Sequence, residues 1–128
     1  MRTILWLAMA GAAGTLSRYG LGGLAQRVTG AGFPYGTLAI NVLGCLAIGY
    51  VMQIALNADI IPASTRVIVT IGFLGAFTTF STFSYETVRL FEDGARVSAI
   101  LNLVMNVGLG LTATVLGILL GRITLRGV

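Results

Sequence analysis

The sequence predicts an all-helical integral membrane protein: one domain over residues 1–128, with four transmembrane helices and the third helix broken near its middle. Three observations predict it. Of the 128 residues, 56% are apolar and 9% charged, and the mean hydropathy is +0.95, so the chain is more apolar and less charged than a soluble domain. Four apolar segments follow one another, about Ile4 to Leu24, Gly36 to Leu56, Val67 to Leu90 and Val97 to Gly121, each near the ~20 residues that cross hydrocarbon. The third segment carries, between Gly72 and Glu86, two glycines, four phenylalanines and the five hydroxyls Thr78, Thr79, Ser81, Thr82 and Ser84. Glycine lowers helix stability, and Ser and Thr hydroxyls offer the backbone bonds that compete with the helical ladder, which predicts a break near Gly75 to Thr79. Broken helices at membrane depth sit at binding sites.

The first segment begins with Arg2, an apolar run and the small residues Ala10 to Ala13, which resembles a secretory cleavage region. The run continues through Leu24 and three more apolar segments follow, so it reads as a span. Ala10, Gly11 and Gly14 place small residues at helical spacing, suited to close helix contact. Arg18 lies deep in the span and must either snorkel to the interface or line a wet vestibule, where its charge would concentrate anions. Gly30, Gly32 and Pro34 mark a turn and the start of the second helix.

In the second segment Thr37, Asn41, Gly44, Cys45 and Ile48 recur at near-helical spacing. A primary amide such as Asn41 must find partners inside a membrane, either on another helix or on a ligand. Asn57 to Pro62 forms a short polar link. In the third segment, helix resuming after the break would put Thr79, Thr82 and Glu86 on one face and Phe80 and Phe83 on its neighbour. The fourth segment holds Ser98, Asn102, Asn106, Gly110 and Thr114, a winding stripe with a polar or small residue at every fourth position. A stripe of that kind needs polar groups to face, and an ion path would supply them. Gly117 and Gly121 form a small-xxx-small pair for helix packing.

Four spans would put Arg2, Arg66, Arg122 and Arg126 on one side and Arg18, Arg27, Arg89 and Arg96 on the other. With no lysine and no charge bias, the positive-inside rule selects no orientation. A chain that inserts both ways can pair as an antiparallel homodimer, in which one broken helix meets its inverted copy near the bilayer midplane. The net charge of +4 is then split between two membrane faces and argues for no nucleic-acid partner. One cysteine and no histidine leave a zinc or redox site without support, and no nucleophile and base pair or nucleotide loop points to an enzyme. The inward candidates Asn41, Thr79, Ser81, Thr82, Asn102 and Asn106 can all donate hydrogen bonds, and phenylalanine edges carry the positive part of the ring quadrupole. That lining suits a small hydrated anion, whose water the donors would replace.

These residues resemble the CrcB or Fluc family of fluoride channels over nearly the whole chain. The resemblance rests on Gly11, Gly14, Arg18 and Tyr19, on Pro34-Tyr35-Gly36-Thr37-Leu38 with Asn41 and Gly44, and above all on Thr78-Thr79-Phe80-Ser81-Thr82-Phe83-Ser84 with Glu86. It implies a dual-topology antiparallel homodimer in the plasma membrane of a prokaryote (the inner membrane of a Gram-negative cell). Two pores, each built by both subunits, would let cytoplasmic fluoride leak out passively. By resemblance Phe80 and Phe83 would box the ion path and Asn41 would contact fluoride. Thr79, Ser81, Thr82, Asn102 and Asn106 join the path as donors, Thr37 and Glu86 are further pore candidates, and Arg18 belongs to a vestibule. The backbone carbonyls of Gly75 and Thr78 would hold a central structural sodium ion. Ala76 stands where the family usually has glycine, and Asn102 and Asn106 occupy positions that vary in it. Two other classes stay open. Small multidrug exporters are also four-span dual-topology dimers but look built around a first-span glutamate, which is absent here. A membrane scaffold would explain the glycines but not the clustered hydroxyls and phenylalanines.

Overall fold

The structure, a computed structural model, describes residues 2–57 and 61–127, and among these every regular element is helical. Helix α1 spans Arg2–Thr29, α2 spans Tyr35–Asn57, α3 spans Ala63–Glu92 with a bend, and α4 spans Arg96–Arg126. By length and composition α2, α3 and α4 can each cross a membrane, so the chain is a multi-pass membrane protein. Part of the expected link over Asn57 to Pro62, residues 58–60, lies outside the described residues.

Local chemistry sets the turns. Gly30, at φ 93°, ends α1, and Pro34 stands just before α2. The Gln26 side chain clamps this loop: its amide N–H donates to the carbonyls of Gly30 and Phe33, and its oxygen accepts from the Gly36 N–H at 3.0 Å. At the end of α3, Gly94 has φ 79°, and the Ala95 N–H reaches back to the Leu90 carbonyl at 2.9 Å, a glycine-capped stop. The α3–α4 turn is therefore tight, and the two helices run antiparallel.

Small residues let the helices touch at their backbones. A Cβ at Gly49 would collide with the Thr114 carbonyl, one at Gly117 with the Leu46 carbonyl, and one at Gly121 would lie 2.8 Å from Cβ of Gln53. The expected packing role of Gly117 and Gly121 is thus the α2–α4 seam. Between α1 and α3, Gly14 abuts the Phe73 carbonyl and Gly72 faces Ala10. The Ala76 methyl also points at Gly14, whose missing side chain leaves it room. Large apolar side chains such as Leu16, Val28, Ile71, Val104 and Leu111 point outward, as lipid-facing surfaces do.

Helix α3 is irregular through its middle. Ala63–Val67 is α-helical, Ile68–Leu74 is π-helical, and Gly75–Phe77 returns to α before the chain opens at Thr78 (φ −86°, ψ 160°) and Thr79 (φ −149°, ψ 109°). Helix resumes over Phe80–Glu92. The break falls inside the expected stretch Gly75 to Thr79, at its C-terminal end: Thr78 and Thr79 are extended, while Gly75 keeps helical angles of φ −63° and ψ −34°. Competing hydrogen-bond partners, not glycine flexibility, open the helix. The π-helical turn, a feature that recurs at functional sites, was not anticipated from sequence.

Candidate functional site

The break is held by two polar side chains. In a continuous helix the Thr79 N–H would donate to the Gly75 carbonyl; it donates instead to Asn41 Oδ1 at 2.8 Å. Asn41 Nδ2 returns the favour, donating to the Thr79 carbonyl at 3.2 Å. The Thr82 N–H, which would serve the Thr78 carbonyl, donates to Thr79 Oγ1 at 3.1 Å, so Thr79 caps the second half of the helix. Thr79 Oγ1 in turn donates to Thr82 Oγ1 at 2.9 Å and lies 3.3 Å from Ser81 Oγ. The carbonyls of Gly75 and Thr78 are thereby released from their helical donors, which leaves two hard oxygens at the break. Gly44 of α2 makes room for this geometry, since a Cβ there would collide with the Thr78 methyl.

Two grooves flank the break. One, of about 350 Å³, is lined by Asn41, Gly75, Thr78, Phe80, Phe83 and Asn106. The Phe80 and Phe83 rings meet edge to face at 5.5 Å and 64°, and they differ in role within the subunit: Phe80 is 78% exposed, whereas Phe83 is 5% exposed. The other groove, of about 740 Å³, gathers Arg18, Arg27, Thr37, Thr79 and Thr82. Arg18 therefore lines a concave surface beside the break, together with the three threonines singled out from sequence, Thr37, Thr79 and Thr82. Thr37 Oγ1 also donates to Glu86 Oε1 at 2.7 Å, joining α2 to the second half of α3. The other carboxylate oxygen of Glu86 is buried without a partner among the described residues.

The fourth-helix stripe finds partners on two neighbouring helices. Asn102, 0% exposed, donates to Thr87 Oγ1 of α3 at 2.9 Å. Asn106, 9% exposed, accepts from Asn41 Nδ2 of α2 at 3.0 Å and donates to Asn102 Oδ1 at 2.9 Å. Further along, Gly110 faces Cys45 and the Thr114 carbonyl lies against Gly49. Because a four-residue spacing drifts around the helix, the stripe meets α3 at Asn102 and α2 at Asn106. Within the subunit Asn106 reaches the groove, while Asn102 is enclosed. Both N–H groups of Asn41 are engaged, by Thr79 and Asn106, so an anion at this amide must displace one of them.

Sequence reasoning passed over Thr87 and Gln26. Thr87 could have been found from the turn: it stands seven residues before Gly94 and Asn102 eight after, and antiparallel helices joined by a tight turn pair residues at nearly equal distances from it.

Fold and site together define a multi-pass membrane protein, helical in every regular element among the described residues, in which one helix opens at Thr78 and Thr79 and a polar side chain of α2 holds the break. Residues 5–118 match the family described as CrcB-like protein, Camphor Resistance (CrcB), and the chain belongs to that family. It is 48% identical over 95% of its length to a protein of Geobacter sp. (strain M21), covering 98% of that relative, and equally to one of Citrifermentans bemidjiense. A protein of Geobacter metallireducens is 49% identical over the same shares. All three are named fluoride-specific ion channel FluC.

Proposed function

We propose that this chain is a passive fluoride-selective channel rather than an enzyme. One four-helix domain over residues 1–128, with α1 as a fourth span, pairs as an antiparallel dual-topology homodimer in the plasma membrane of a prokaryote. The observation that carries the reading is the near-full-length identity to relatives so named, together with a helix break rich in hydrogen-bond donors. Fluoride is small and strongly hydrated, so it enters a pore only where donors replace its water. Arg18 draws anions toward the groove holding Thr37, Thr79 and Thr82, with Ser81 and Glu86 nearby. Beyond the break, Asn41, Asn106 and the Phe80 and Phe83 edges continue the path, and Asn102 supports it from inside the subunit. Each of two such paths carries cytoplasmic fluoride outward. Purified protein in liposomes should pass fluoride down its gradient with no proton movement; substrate-driven proton coupling would make it an exporter, and no flux a scaffold.

The dimer is supported by the balanced arginines and by the open face on which Gly75, Thr78 and the exposed Phe80 lie. Cysteines introduced at either terminus of a Cys45→Ala protein should label from both sides of the membrane. One-sided labelling excludes dual topology.

The carbonyls of Gly75 and Thr78 fit a sodium ion, because both have lost their helical donors and unwound carbonyls are known Na⁺ ligands in transporters. With the break's inverted copy they would make four oxygens, and the bound charge would favour anions nearby. A high-resolution experimental structure should show density about 2.3–2.6 Å from these oxygens, by analogy with other hard cations. Waters alone at hydrogen-bond distances would remove sodium from the proposal.

A further inference from the structure

The hydrogen bonds that leave Asn41 do not end at Asn106. The Thr79 N–H donates to Asn41 Oδ1, Asn41 Nδ2 to Asn106 Oδ1, Asn106 Nδ2 to Asn102 Oδ1, Asn102 Nδ2 to Thr87 Oγ1, and Thr87 Oγ1 to the Phe83 carbonyl, at 2.8 to 3.0 Å throughout. Every donor points the same way along this chain. Its two ends dictate that polarity: a backbone N–H can only donate and a backbone carbonyl can only accept. Turning one amide over would set oxygen against oxygen on one side and N–H against N–H on the other. Asn102, at 0% exposure, is too enclosed for water to repair such a mismatch there. The orientation of the Asn41 amide is therefore specified from both directions: beside it by the N–H and carbonyl of Thr79, and on the far side by the Asn102 carbonyl, which also accepts from Asn106 Nδ2 at 3.1 Å, together with Thr87 two amides away.

We propose that Thr87 is a positioning residue for the Asn41 amide, acting through Asn102 and Asn106. Its bond to the Phe83 carbonyl is by itself the ordinary back-bond of a helical threonine. Because the one hydroxyl proton is committed there, the oxygen can only accept from Asn102, and this converts a local bond into a terminus that sets direction. The consequence reaches the ion path. An anion that takes the Asn41 N–H held by Asn106 meets a donor already aimed, and on leaving it is replaced by an acceptor that has kept its place. This role rests on the fluoride-channel reading for its functional meaning, but the orientation of the amide does not.

The test is the side-chain amide spectrum of asparagine-labelled protein in micelles. The chain has four asparagines, Asn41, Asn57, Asn102 and Asn106, and Asn57, bonded locally to the Gln53 carbonyl, is an internal reference. Thr87→Val keeps the shape and removes the hydroxyl; it should move the Asn41 signals, leave Asn57 unmoved, and lower fluoride flux about tenfold, the scale of one lost buried hydrogen bond. Thr87→Ser restores the hydroxyl and should return both readouts to parental values. Asn41 signals unchanged in Thr87→Val, or not rescued by Thr87→Ser, overturn the proposal. If the valine protein does not fold, Thr87→Cys, with its weak S–H group, should shift the Asn41 signals partway, and an unchanged signal there overturns it equally. A parent protein without fluoride flux would refute the channel and leave the spectrum to judge the chain of amides alone.

Discussion

Asn41→Asp should reduce fluoride flux by about two orders of magnitude while the protein still folds and pairs, a change that corresponds to ~3 kcal/mol on the anion's passage. The carboxylate keeps the oxygen that accepts the Thr79 N–H, so the break in α3 stays pinned on that side. Both donations are lost, to the Thr79 carbonyl and to Asn106, and a negative charge faces the Asn106 oxygen and any arriving anion. Ground-state structure and ion passage are thus affected very differently. Efflux followed with a fluoride electrode, with size-exclusion chromatography of the same preparation, checks the expectation. Parental flux through a correctly assembled Asn41→Asp dimer would mean that Asn41 only joins helices.

Truncating the two phenylalanines should separate conduction from folding. Phe80, 78% exposed, contributes little packing within the subunit, so Phe80→Ala should lower flux at least about tenfold at nearly unchanged subunit packing, through loss of a ring-edge contact. Phe83 is buried at 5% exposure, and Phe83→Ala should also cost about 3–5 kcal/mol of stability, as large-to-small core changes do. Phe80→Leu refines the test: it keeps apolar bulk and removes the quadrupole, so a loss as deep as that of alanine assigns the effect to the ring edge. Flux and thermal unfolding measured on the same samples decide between these outcomes. If Phe80→Ala conducts like the parent, the ring is not part of the ion path.

Much of this site was legible because membrane placement makes polar residues conspicuous. Asn41, Thr79, Asn102 and Asn106 stand out against an apolar background, and each has proved to be hydrogen-bonded. Hydrocarbon leaves a polar group no alternative to a protein partner or a ligand. The partners were less visible. Thr87 looks like any helical threonine until α3 and α4 are folded together, and Gln26 looks like a polar residue near a helix end until the loop after α1 curls back on it.

Composition and hydropathy by themselves determined that this is a helical membrane protein, where its long helices lie, and that α3 would break, since these follow from residue-by-residue transfer costs and local competition for backbone bonds. The small residues likewise announced close helix contact. Tertiary structure alone decided at which residue within the stretch Gly75 to Thr79 the break opens, because the Thr79 N–H lost to the Gly75 carbonyl is taken by Asn41, thirty-eight residues before Thr79 in the chain. It alone decided that Phe80 is open and Phe83 closed, and which way each buried amide points. Those are properties of pairs of atoms from different helices, and a hydrogen bond's direction exists only once both partners are in place.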